Sequence, residues 1–127
     1  MTDLQQAVSG GGFADPAVIR SYHAHVYYEA ATRPEAERLR RQMESLFPAA
    51  RYGRWHDVPV GPHPSAMYQV AFPAELFPTL VPWLIVNRGS LTIFLHPETG
   101  RALTDHTRHA VWMGRQQVLD LRQLSDE

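Results

Sequence analysis

Polar and apolar side chains alternate along residues 21–29, a segment rich in aromatic residues and free of glycine and proline. The alternation predicts a β-strand, whose successive side chains point to opposite faces of a sheet. One predicted face is typical of a protein core and contains Tyr22, Ala24, Val26 and Tyr28. The other face is polar and contains His23, His25, Tyr27 and Glu29. Two imidazoles about 7 Å apart at strand spacing form either an ordinary polar surface or part of a metal site.

The hydrophobic pattern also predicts two helices and several further strands. Residues 32–47 begin with Thr-Arg-Pro-Glu, a helix-capping arrangement, and continue with an apolar stripe at steps of three and four. Residues 74–87 predict an apolar helix that begins late or kinks, because Pro78 and Pro82 lie inside it. Alternation predicts strands over residues 51–58, 65–72, 90–96 and 109–113, and the chain is predicted to end in a helical turn over residues 119–124.

The predicted order is βαββαβ followed by a tail, which is the ferredoxin-like pattern of the α+β class. In this pattern an antiparallel sheet has its first strand between the third and the fourth, and both helices cover one face. We predict that the other face is open, either to a partner subunit or as the floor of a site. The predicted members of that face include His23, His25, Gln69, Phe94 and His96.

The same topology predicts which histidines meet. The end of the fourth strand lies beside the start of the first, so His96 is expected near His23 and His25. Residues 59–64, Pro-Val-Gly-Pro-His-Pro, form a stiff connector that presents His63. By topology His63 lies at the opposite end of the sheet. It reaches the others only if the connector folds over the open face or comes from another subunit.

Length and composition predict one domain over residues 21–127, preceded by a flexible arm over residues 1–20 that contains Ser-Gly-Gly-Gly. The net charge of −1, from 12 basic and 13 acidic residues, offers no electrostatic footprint for nucleic acid. No apolar run is long enough to cross a membrane, and the first residues lack the pattern of a secretory leader. We therefore expect a soluble cytoplasmic protein without nucleic-acid or membrane partners.

Histidine is the main candidate for chemistry, with 7 residues in a chain that contains no cysteine. Without thiolates, a metal ion has to be held by histidine, carboxylate or water. Imidazole is also an acid or base near neutral pH. None of the candidate carboxylates falls beside the histidines in the sequence pattern, so an all-histidine site stays open; these carboxylates are Glu29, Asp57, Glu98 and Asp105.

Four segments, in this order, resemble the DOPA 4,5-dioxygenase family of fungi and bacteria. They are residues 22–27 (Tyr-His-Ala-His-Val-Tyr), 60–64 (Val-Gly-Pro-His-Pro), 94–100 (Phe-Leu-His-Pro-Glu-Thr-Gly) and 105–114 (Asp-His-Thr-Arg-His-Ala-Val-Trp-Met-Gly). The resemblance implies extradiol cleavage of DOPA or a related catechol, with non-haem Fe(II) and O₂. It also implies a ferredoxin-like homodimer.

The resemblance further implies roles for individual residues. The metal ligands would be His25, His63 and His96, and His23 would be either a ligand or a group beside one. An all-histidine site would also accept Zn or Ni. His106, ahead of His109, is the expected acid or base, together with His23.

For the substrate, the resemblance leads us to expect Tyr27 and Gln69 to orient the catechol while Phe94, Trp112 and Trp55 stack against its ring. The alternative function is a ferredoxin-like dimer that binds a metal or a small ligand without cleaving a ring.

Overall fold

The computed structural model describes residues 10–127. Within these residues the chain forms β1 (Ser21–Tyr28), α1 (Arg33–Leu46), β2 (Arg51–Tyr52), β3 (Ala66–Pro73), α2 (Phe77–Asn87), β4 (Thr92–Pro97), α3 (Ala102–His106) and β5 (Val111–Met113). The strands pair antiparallel in the order β2-β3-β1-β4-β5. The predicted α+β, ferredoxin-like sheet with a C-terminal extension is therefore confirmed, and the extension adds β5 beside β4.

The core lies between one face of the sheet and the helices α1 and α2. Alternate residues of β1, β3 and β4 enter it, as the alternation predicted, and meet the apolar stripe of each helix. Its buried members include Ala24, Val26, Tyr28, Tyr68, Val70, Phe72, Ile93, Leu95, Met43 and Leu84. The intervening residues of the same strands point to the opposite face, which we call the site face.

The start of α1 differs in detail from the prediction. Pro34 occupies the first turn as expected, but the capping box joins Glu29 to Thr32, whose hydroxyl accepts from the Glu29 amide at 2.9 Å. The predicted capping residue Glu35 instead accepts from the amide and hydroxyl of Ser90, at 2.9 and 2.7 Å. Glu35 therefore ties α1 to the turn before β4.

Two predicted elements are wrong in extent. The strand predicted over residues 51–58 is only two residues long, because its backbone leaves the ladder after Gly53 and returns in a single bridge between His56 and Met67. The helical turn predicted over residues 119–124 is absent from the described structure. There the Asp120 amide donates to the Pro62 carbonyl at 2.9 Å, and the Leu124 amide donates to the Leu121 carbonyl at 3.1 Å, which closes a single turn and not a helix.

The helix α3 was not predicted. Five residues are too few for hydrophobic periodicity to be recognised. By contrast, α2 begins late, at Phe77 after a short turn over Ala74–Leu76, as the prolines predicted.

The predicted arm over residues 1–20 lies partly outside the described residues, which begin at residue 10. Residues 10–20 contain two short turns, Gly10–Gly12 and Pro16–Val18. None of the helices within residues 10–127 has the length and apolar character needed to span a membrane.

Candidate metal centre

The site face is partly covered, whereas the prediction left it open to a partner subunit or as the floor of a site. Tyr27, Met67 and Phe94 are buried there as a second apolar cluster. The cover comes from the connector and from residues C-terminal to β4, with contacts from Val60, Ala110, Trp112 and Leu119. The pattern of strands alone contains no information about this cover, because loops and tail supply it.

Paired residues place the predicted site residues in two rows across this face. In the first row, His23 pairs with His96 on one side and with Ala71 on the other, and Ala71 pairs with Arg51 of β2. The second row contains Trp112, Phe94, His25 and Gln69. Because directly opposed residues of an antiparallel pair share a face, each row is a continuous strip of side chains.

His25 and His96 form the centre of the site. Their Nε2 atoms lie 3.0 Å apart, and the two residues are 2% and 1% exposed. His23 joins them, since one ligand nitrogen from each of the three lies within 4.8 Å of the other two. The antiparallel pairing of β1 and β4 thus brings these imidazoles together as the topology predicted.

His63 reaches the centre from the connector of the same chain. Its ring centroid lies 4.1 Å from that of His25, and its Nδ1 lies 2.8 Å from the hydroxyl oxygen of Tyr27. Of the two routes left open by the sequence, the structure therefore shows the first, in which the connector folds over the face. The bond from the Asp120 amide to Pro62 holds it there.

His106 is brought to the site by α3. Its ring centroid lies 4.0 Å from that of His96, and its Nδ1 donates to the carbonyl of Ala102 at 2.7 Å. The buried Asp105 carboxylate accepts hydrogen bonds from the amide and hydroxyl of Thr99, and these bonds tie α3 to the turn that precedes it. His109, the second candidate for acid or base, is exposed.

Burial keeps the central histidines neutral. It lowers the pKa of His96 to about 3 and the pKa values of His23 and His63 to about 4, and it lowers the pKa of His25 well below its ordinary value. Neighbouring imidazoles add to each shift by mutual repulsion, and Arg51 adds to that of His23. A neutral imidazole carries one nitrogen lone pair, which is the form that binds a metal.

Hydrogen-bond acceptors select which nitrogen carries the proton. The Pro97 carbonyl accepts from Nδ1 of His96 at 2.9 Å, and a carboxylate oxygen of Glu98 lies 3.3 Å from Nδ1 of His23. With its proton on Nδ1, His96 carries its lone pair on Nε2. Nδ1 of His25 is buried without a hydrogen-bond partner among the described residues. Oriented neutral imidazoles backed by oxygen acceptors fit a divalent transition metal.

The candidate carboxylates do not complete the group. Glu98 faces the Nδ1 atoms, 3.6 Å from that of His96, and Asp105 bonds to Thr99. Asp57 accepts from Tyr28 and Arg33 on the other side of the sheet, and Glu29 belongs to the capping box. Within residues 10–127 the gathered group contains histidines only.

The aromatic residues expected at the substrate divide between the two faces. Phe94 and Trp112 lie on the site face with ring centroids 4.5 Å apart, and Gln69 is half-buried beside His25. Trp55 does not join them, because its ring packs on Tyr68 at the core and lies beneath Arg33. The expectation that Trp55 stacks on a ligand is therefore wrong.

Comparisons with known proteins identify the family of this chain. The sequence model of the Dopa 4,5-dioxygenase family matches residues 22–123. A crystal structure of a provisionally assigned dioxygenase from Nostoc punctiforme is 47% identical, with a TM-score of 0.80 over 83% of this chain and 90% of that one.

Two curated fungal proteins also match. An uncharacterised 21.2 kDa protein of Botryotinia fuckeliana is 38% identical over 84% of this chain, and the DOPA 4,5-dioxygenase of Amanita muscaria is 32% identical over 99% of it. The matches span 64% and 57% of the lengths of these two relatives. The family model matches most of the chain, and the sheet brings together the histidines of the matching segments. This chain therefore belongs to the Dopa 4,5-dioxygenase family.

Proposed function

We propose that this chain is an extradiol dioxygenase that opens the ring of DOPA or a related catechol, with non-haem Fe(II) and O₂. The observation that carries the proposal is the gathering of neutral, buried imidazoles on one face of the sheet in a member of this family. The name of the Amanita relative supplies the substrate class, and the chemistry of the donor set supports the metal.

The proposed ligands are His25, His63 and His96. His25 and His96 are supported by the 3.0 Å between their Nε2 atoms, and His63 by its ring against His25. His23 competes with His63 for the third position, since its ligand nitrogen lies within 4.8 Å of the central pair. Zn or Ni would also bind this donor set.

The proposed reaction consumes one catechol and one O₂. A ring carbon–carbon bond next to a hydroxyl-bearing carbon breaks, and both atoms of O₂ enter the product, as an aldehyde and a carboxylate, without another reductant. When bound, the metal supplies coordination of the catechol oxygens and a path for electrons to O₂. The protein has to remove a proton from the catechol and return one to the opening ring.

His106 and His23 are proposed to handle these protons. Nδ1 of His106 donates to Ala102, so its Nε2 has a free lone pair while its ring lies against His96. Nδ1 of His23 lies 3.3 Å from a carboxylate oxygen of Glu98, and its Nε2 is the other nitrogen. Each therefore lies beside the proposed metal position with one nitrogen free to exchange a proton.

Phe94 and Trp112 are proposed to bound the catechol ring, and Gln69 to orient it from the same row as His25. The ring of Tyr27 contacts Trp112 and would bound the catechol on the same side, while its hydroxyl forms a hydrogen bond with Nδ1 of His63. We also propose a homodimer. The partner is not needed to complete the histidine group, since every described member comes from one chain.

The test is aerobic incubation of the Fe(II)-loaded protein with L-DOPA or caffeate. A yellow, visibly absorbing product is expected, and the double variant His25→Ala, His96→Ala should form none. His109→Ala is the matched control, because this histidine is exposed. Undiminished turnover by the double variant would exclude the site, whereas tight metal binding without turnover would support a binding protein.

Metal content separates the two candidates for the third ligand. The single variants His23→Ala and His63→Ala are chelated, reloaded with Fe(II) under anaerobic conditions and analysed for metal per chain. Loss of metal from the His63 variant alone is expected. The reverse result would make His23 the ligand.

A further inference from the structure

A groove on the surface adjoins the imidazole group on the side away from His96. It has a volume of about 250 Å³, and His23, Ala71 and Arg51 contribute to its lining. These are consecutive members of the first row, so the groove begins at His23, beside the proposed metal position, and continues to the edge of the sheet. A ligand held at the metal has room to extend in this direction.

The middle of the groove is open because the residue there is small. Ala71 stands between His23 and Arg51 and is half-buried. A larger side chain at this position would fill the space that a substituent on a bound ring needs. The two strand spacings from β1 to β2 amount to about 10 Å. This span is comparable to a catechol that carries its charged group on a three-carbon side chain.

The far end of the groove carries a positive charge. Arg51 is exposed, and within residues 10–127 no carboxylate forms an ion pair with it. Arg33, by comparison, is paired with Asp57 and Glu37. An arginine without a partner at the end of a groove is well suited to a carboxylate, which its guanidinium binds through two parallel hydrogen bonds.

We propose that Arg51 is a specificity-determining residue, which binds the carboxylate of an acidic catechol while Ala71 leaves room for the side chain in between. The inference rests on the proposed function and extends it from the reacting ring to the other end of the substrate. It selects catechols with an anionic side chain over neutral ones.

The kinetic test compares caffeate with 4-methylcatechol, which lacks the carboxylate. In Arg51→Gln, KM for caffeate is expected to rise about tenfold, while KM for 4-methylcatechol changes less than twofold. Arg51→Lys should recover part of the loss, since it keeps the charge. Arg41→Gln is the matched control, because Arg41 is an exposed arginine on α1, across the sheet from the groove.

Calorimetry with the same two compounds provides a readout that does not depend on turnover. Arg51→Gln should weaken caffeate binding to the Zn-loaded protein and leave 4-methylcatechol unaffected, and Ala71→Leu should weaken caffeate binding as well. Equal losses for both compounds, or none, would overturn the role of Arg51. Absence of ring cleavage by the wild-type protein would instead refute the proposed function, and the binding data would still decide on Arg51.

Discussion

The hydroxyl oxygen of Tyr27 lies 2.8 Å from Nδ1 of His63, and the two residues are 3% and 6% exposed. This contact joins the central strand of the sheet to the connector. It leaves Nε2 of His63 as the nitrogen available to a metal, since Nδ1 is engaged. The hydroxyl therefore fixes both the position of the imidazole and the nitrogen that it presents.

Tyr27→Phe should weaken metal binding by about tenfold or more, because partners of metal-bound imidazoles orient the ring and set its tautomer. The phenylalanine keeps the ring contacts with Phe94 and Trp112. Metal affinity is measured by competition with a chelator. Tyr28→Phe is the control, since it removes a hydrogen bond to Asp57 on the other face. Equal affinity in both variants would mean that Tyr27 does not act on the metal.

The stability of the metal-free chain should fall as the pH falls from 7 to 5. Burial lowers the pKa of His96 from an ordinary 6.5 to about 3. Between these values the unfolded chain binds more protons than the folded one, so acid favours unfolding. At pH 5 the loss from His96 alone is about 2 kcal/mol, and His23 and His63 act in the same direction.

Urea unfolding in the presence of a chelator measures this loss. His96→Gln should reduce the difference between pH 7 and pH 5, because it removes one titrating group. Replacement of the exposed His109 by Gln should leave the difference unchanged. An unfolding midpoint that is the same at both pH values would contradict the buried, neutral state of the group.

Asp126 should matter for turnover more than for metal content. It accepts from the amide and the hydroxyl of Thr104, at 2.9 and 2.6 Å, and thereby fastens the tail to α3, which carries His106. Asp126→Ala is expected to lower kcat for ring cleavage about tenfold by loosening His106, with one metal still bound per chain. Asp120→Ala is the comparison, since within residues 10–127 the Asp120 side chain pairs with exposed Arg122 alone. Unchanged kcat in the Asp126 variant would show that α3 holds its position without the tail.

Gly89→Ala should lower the free energy of unfolding by more than about 1 kcal/mol. Gly89 has a φ of +59°, and an added Cβ would collide with the Glu35 carboxylate that holds Ser90. Gly61→Ala provides the matched control: its φ is +55°, but an added Cβ would meet no atom within 4 Å. The difference between the two variants in thermal unfolding measures the collision alone, and a larger loss at Gly61 would contradict this account.

The sequence was sufficient for the parts of the site that depend on strand alternation. The period of two assigned His23, His25 and Phe94 to one face, and the ferredoxin-like order placed His96 beside them. These predictions rely on local geometry and on a single topological rule. They needed no knowledge of loops.

The other parts of the fold and the site depend on contacts that hydrophobic periodicity does not predict. His63 reaches His25 because a stiff connector folds back and is held at Pro62 by the tail, and His106 arrives on a helix of five residues. The strand predicted over residues 51–58 was too long because the residues after Gly53 leave the ladder. That departure turns Trp55 toward the core and away from the site.

The alternation along β1 assigns alternate residues of one strand to the core and to the candidate metal centre. Deletion of a single residue between Ser21 and Ala24 would shift every later side chain of β1 to the opposite face. The imidazole of His25 would then enter the apolar interior, while Val26 would replace it among the donors. The core packing and the histidine group would therefore be lost together, so this strand cannot accept a change in length without losing both.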